Sequence, residues 1–322
     1  MPICCTALPR PLRQACLCLA ALLALSLVGC EKSEPEASAD STQPAALMRV
    51  VFANWSEKQP VEIELEEDNE VVQQWMLVRP EAVVQLSPQA VVLVASGSPA
   101  NENGDQTAGH ATPGNLGAYW FQQREGRWYL TQARPSFAQT GFTGDAGKLS
   151  VARLDASTQA LIVENGSCWQ GFCGSWLDIF GVGADNMKRL LRDDATIALW
   201  ASSTGVQEHC SDVVEKGLTV AVPASATSVG QCFEVTGRWS LKPRKGVADL
   251  VLEFSGAIVD DTTTTPTLPP QASAPAADAS TPGAEAEEWL LVRARPVKET
   301  AVYRFANGAY SLVRGKNPVP GF

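Results

Sequence analysis

The chain is poor in the residues that do chemistry. It has two histidines, four tyrosines and four methionines in 322 residues, and basic side chains are outnumbered 25 to 35 by acidic ones. A net charge of −10 excludes bulk electrostatic binding of DNA, RNA or anionic lipid headgroups. No G-x-x-x-x-G-K-[ST] and no G-x-G-x-x-G is present, so nucleotide phosphates have no backbone cradle and no cofactor is expected. The G-x-S-x-G elbow of a serine hydrolase is missing as well. His110 lies in a polar loop with Asp105, and His209 adjoins Cys210; neither has a nucleophile that the sequence can name beside it. Paired carboxylates for glycoside cleavage cannot be chosen without distances. Beyond the first 29 residues no apolar run approaches the ~18 residues of a membrane span.

What is present begins at the N-terminus. Arg10 and Arg13 are the only charges before Glu31, and Ala15–Val28 is almost wholly apolar. Those 14 residues would make a helix about 21 Å long, too short for a bilayer core of about 30 Å. A basic start followed by a short apolar run is a secretion signal. The run closes on Leu27-Val28-Gly29-Cys30, which resembles the lipobox of Gram-negative bacterial lipoproteins. The resemblance covers the leader alone; the rest of the chain resembles no particular family. It implies removal of residues 1–29, acylation of Cys30 (palmitate among the chains) and a protein moored in the cell envelope, facing the periplasm. Glu31 in place of Asp after the cysteine leans toward the outer membrane. The membrane is then a partner through the anchor alone, and the processed charge becomes −12, 23 basic against 35 acidic residues.

Export changes the meaning of the cysteines. Of nine, Cys4, Cys5, Cys16 and Cys18 leave with the leader and Cys30 takes lipid. Cys168, Cys173, Cys210 and Cys232 remain, an even number in an oxidising compartment, which reads as two disulfides. Cys168–Cys173 with Cys210–Cys232 is the simplest of three pairings; a four-thiolate zinc site is the alternative.

Residues 30–46 are acidic and lack large apolar side chains, which predicts a disordered tether. The folded region is expected over 47–322, with Leu47–Phe52 as a first strand. Val61, Ile63 and Leu65 alternate with Glu62, Glu64 and Glu66, the period of a strand with one wet face. Three apolar strands then run into Gly97, Gly166 and Gly256, each followed by a loop and an aromatic-rich hairpin. The hairpin turns fall at Glu125-Gly126, near Gly183 and at Asn307-Gly308. This predicts an all-β fold of antiparallel repeated strand–loop–hairpin units, either β-propeller-like or a β-sandwich. Only 185–192 suggests helix. Residues 260–288, rich in Pro, Thr and Ala, read as a disordered insertion within the third unit.

Candidate surfaces follow. Asn101, Asn103 and Asp105 place oxygens at alternate positions, a weak calcium-loop pattern whose default is a polar turn. Cys168-Trp169-Gln170-Gly171-Phe172-Cys173 would hold Trp169 and Phe172 in a small ring, and rigid aromatics lose little entropy on binding. The 98–117 loop and the 257–288 insertion should share that face. The reading is a lipid-anchored binding or scaffolding module with a protein or glycan partner; a periplasmic hydrolase acting on glycans is the alternative.

Overall fold

The structure is a computed structural model that describes residues 37–67, 70–192, 195–206, 210–216, 219–223, 232–259, 264–267 and 289–321. The leader, Cys30, His209 and most of the 260–288 insertion lie outside the described residues. Within the described residues no helix is long and apolar enough to cross a membrane.

The fold is all-β and antiparallel. A first sheet holds β1 (Ser38–Ala39), β2 (Val61–Glu67), β3 (Glu70–Ser87), β4 (Ala90–Pro99), β5 (Gly114–Arg124) and β6 (Arg127–Thr140), in the order β1-β6-β5-β4-β3-β2. A second holds β7 (Lys148–Arg153), β8 (Gln159–Trp169), β9 (Phe172–Val182), β10 (Met187–Arg189), β11 (Ile197–Ser202), β13 (Phe233–Arg244), β14 (Gly246–Ile258), β17 (Arg295–Ala306) and β18 (Ala309–Arg314). Its order is β18-β17-β14-β13-β11-β9-β8-β7, with β10 on β9. A small third sheet joins β12 (Thr219–Pro223), β16 (Trp289–Arg293) and β15 (Thr264–Thr267).

The three repeated units are real at the level of pairing. Each is a three-stranded antiparallel meander: β4-β5-β6, β8-β9-β10 and β14-β17-β18. They do not form separate blades. The first meander merges into one sheet and the other two into the second, and the two sheets pack face to face. Val92, Val94, Leu116, Ala118 and Trp120 meet Leu161, Val163, Phe180 and Val182 in one buried cluster. Among the described residues the packing follows the sandwich alternative. β4 explains its own sequence: Val92 and Val94 face the second sheet while Val91, Leu93 and Ala95 pack on the opposite side. Burial on both faces turns an alternating strand into a continuous apolar run.

The first sheet's other face is covered by helix α1 (Pro44–Val51), where the sequence had suggested a strand. Pro44 suits the first helical turn, and Leu47 and Met48 are fully buried against β2–β5. A six-residue apolar run has no period of its own, and the uncovered sheet face selects the helix. Ordered structure begins before residue 47: Ser38 and Ala39 pair with Tyr129 and Trp128. Arg127 adds contacts to Ser38 Oγ (2.8 Å) and Asp40 (3.3 Å). Glu62 and Glu64 are exposed and Ile63 and Leu65 buried, as the alternation requires.

The second sheet wraps around its own core. Residues of β8, β9, β11, β13, β14, β17 and β18 share one core. Tyr310 closes it, its amide donating to Leu190 O (2.6 Å) and its hydroxyl to Ala248 O (2.8 Å). Ala248 N donates in turn to Leu154 O (2.8 Å). The 185–192 segment, expected to be helical, therefore forms β10 and then inserts Leu190 and Leu191 into this core. A satellite core around helix α2 (Cys210–Lys216) packs Cys210, Val213, Cys232, Val259 and Val292.

Candidate functional site

The β8–β9 hairpin projects past the sheet-to-sheet core. Its register pairs Asn165 with Trp176, Ser167 with Gly174, Cys168 with Cys173 and Trp169 with Phe172. Side chains alternate along each strand, so Ser167, Trp169, Phe172 and Trp176 share one face and the Cys168–Cys173 disulfide occupies the other. The turn is two residues long. Gln170 and Gly171 both have positive φ, 49° and 88°, as a type I′ turn requires. A Cβ on Gly171 would come within 2.6 Å of Gly205 O, so the tip is seated against the 203–206 turn.

Two loops of the first sheet come up to this hairpin face. In 141–147, Phe142 pairs with Asp145 across Thr143 and Gly144, both at positive φ. The turn is fastened to the 107–113 loop: Thr143 N donates to His110 O (3.2 Å) and Gly144 N to Thr112 O (2.8 Å). The His110 ring then sits 4.8 Å from the Trp169 ring, and its Nε2 lies 3.4 Å from Ser167 Oγ. Phe142 sits 5.7 Å from Trp176. Between them is a cleft of about 460 Å³ lined by His110, Ala111, Phe142, Ser167, Trp169 and Trp176. Among the described residues no carboxylate and no Lys or Arg belongs to that lining. Trp169 is 58 % exposed, a large apolar surface left in water by a fixed backbone.

The sequence candidates divide. Trp169 forms the cleft. Phe172 does not line it: its ring turns toward Phe233, 6.3 Å away. Asn101, Asn103 and Asp105 make a hydrogen-bonded turn. Asn101 Oδ1 accepts the amides of Asn103 and Asp105 (2.9 Å each), and its Nδ2 donates to Asp105 Oδ2 (3.0 Å). Among the described residues no group of three His, Cys, Asp or Glu side chains is placed to hold a metal. The cysteines form the pairs 168–173 and 210–232, so their sulfurs are not gathered at one point. The 98–117 loop does meet the disulfide ring, through His110. The β14 end from which the insertion departs lies level with the ring along the sheet, because Cys173, Ser202, Glu234 and Ala257 form one cross-strand row. Phe142 and Trp176 were not singled out as site residues. The clustered glycines of 141–147 around a lone Phe were the available signal.

Other charged groups are already engaged. Asp178, on the Trp176 face of β9, is nearly fully buried, and burial raises its pKa despite the adjoining Arg189. Its oxygens are held by Arg189 and by Asn165 Nδ2 (3.3 Å), which leaves no route to a substrate. Another cavity, of about 630 Å³, is lined by Asp155 and Arg244 among others. Asp155 caps its own turn through Ser157 N and Thr158 N (2.7 Å each), and Arg244 pairs with Asp249 (3.3 Å). Compared with known proteins, the chain matches no family model, no curated protein and no solved structure. The chemistry of the cleft therefore carries the functional reading.

Proposed function

We propose that this protein is a lipid-anchored envelope module that binds a partner through the aromatic cleft. Cys30 bears the lipid, the outer membrane holds the anchor and the β domain faces the periplasm. The observation that carries the binding role is Trp169: a mostly exposed indole, tilted against His110 and held by a cross-linked two-residue turn. Soluble proteins rarely leave a large aromatic in water on a rigid, preformed surface unless something covers it, and binding energy concentrates on such residues. Trp169→Ala tests it. Made in the unlipidated chain, which no anchor holds, replacement of this 58 %-exposed side chain should leave stability within ~0.5 kcal/mol of the unlipidated parent while abolishing retention on detergent-extracted envelope fractions. Equal retention of parent and variant refutes the role. Cys30→Ser tests the anchor and should release the protein from the membrane fraction.

A second reading, a hydrolase, draws on one contact: Ser167 Oγ and His110 Nε2 at 3.4 Å, a nucleophile beside a base. Among the described residues no carboxylate of the lining is available to orient His110 or to act as a glycosidase acid. Labelling of Ser167 by a fluorophosphonate, lost in Ser167→Ala, would favour this reading over binding alone.

A further inference from the structure

We infer that the cleft accepts an uncharged sugar ring of a glycan chain; the inference rests on the binding role proposed above. Three observations select the ligand. Among the described residues the lining is aromatic without formal carboxylate, ammonium or guanidinium charge, so neither a phosphate nor a cationic headgroup finds a counter-ion among them. On its wall, Ser167 Oγ and His110 Nε2 stand 3.4 Å apart, a long contact that hydroxyl groups of a ligand can replace or extend. A pyranose offers both complements at once: an apolar C–H face for an indole and a rim of hydroxyls that donate and accept. A volume of about 460 Å³ bounded by six residues suits a unit of one or two rings rather than a long run of polymer.

Rigidity is the second part. The hairpin is closed by Cys168–Cys173, by positive φ at Gln170 and Gly171, and by the contact of Gly171 with Gly205. The opposing 141–147 turn is tied to His110 O and Thr112 O. Sugars bind weakly and repay little ordering entropy, so the rings must be in place beforehand.

The test uses the full chain, matured in a bacterial envelope and purified in a zwitterionic detergent, since sugar-headed detergents would compete. Ligand-detected NMR and calorimetry follow titration with β-1,4-linked N-acetylglucosamine oligomers, cello-oligosaccharides and a proline-rich peptide. Saturable binding of a neutral oligosaccharide is expected, weakened about tenfold in Trp169→Ala and largely restored in Trp169→Phe. Melting temperature and intact disulfides establish that the variants fold. If no oligosaccharide binds, or the peptide binds instead, while retention of the unlipidated chain on detergent-extracted envelope fractions still depends on Trp169, the sugar assignment falls and the binding module stands. If retention is also indifferent to Trp169, both fall.

Discussion

Tyr310→Phe removes one oxygen from the core that the second sheet wraps around. Tyr310 is 1 % exposed, and its hydroxyl donates to Ala248 O at 2.8 Å inside the core that β8–β18 enclose. The ring itself is retained, so packing on Phe305 and the backbone bond to Leu190 O persist. What is lost is a buried hydrogen bond, with a carbonyl left short of a partner, about 1–2 kcal/mol. For a domain of this size that is roughly 2–6 °C in Tm. The substitution has a second signature. Burial pushes the Tyr310 pKa up to about 12 from 10.0. A raised folded value means the native state holds the proton more tightly, so its contribution is fully present below pH 10 and is lost as pH rises toward 12. Two units would amount to at most about 2–3 kcal/mol. Tyr310→Phe should therefore unfold less steeply with alkali than the parent, although it is less stable at pH 7. Burial also raises Tyr119 and Tyr303, so part of the alkaline slope remains. Urea titrations at pH 7, 10 and 11 measure both effects. A variant equal to the parent at pH 7, or one with an unchanged alkaline slope, refutes the view that this buried hydroxyl fastens β18 to β14 across the core.

The two disulfides should not be equal. With sequence separations of 5 and 22, loop closure assigns about 2 kcal/mol to Cys168–Cys173 and about 3.5 kcal/mol to Cys210–Cys232, so paired Cys→Ser variants should melt in that order. Losing Cys168–Cys173 should also loosen Trp169, seen as greater mobility in fluorescence anisotropy, because the disulfide backs the same two-residue turn. Gly171→Ala combines a φ of 88° with a 2.6 Å approach to Gly205 O. Left-handed geometry alone costs about 1–2 kcal/mol, and the tip must shift off the 203–206 turn. Weaker binding alongside lower stability is expected, whereas Gln170→Gly should be nearly silent.

Burial on two faces, turn chemistry and cysteine spacing were all written locally. Val61–Leu65 alternates because one face of β2 is wet, and Asn307-Gly308 turns because both residues adopt positive φ. The same local grammar paired the four cysteines and marked the three meanders. It could not decide Pro44–Val51 or Met187–Arg189, where segments this short suit helix and strand alike and the neighbouring surface chooses. Nor could it assemble the cleft. His110 meets Ser167 from 57 positions away, and Phe142 meets Trp176 across two different sheets. Turn and strand preferences act over a few residues, so the sequence by itself determined the small disulfide ring that carries Trp169, expected as a loop after Gly166 where the structure has a two-residue hairpin. Which loops would face that hairpin depends on how two sheets stack, and only the tertiary structure decided it.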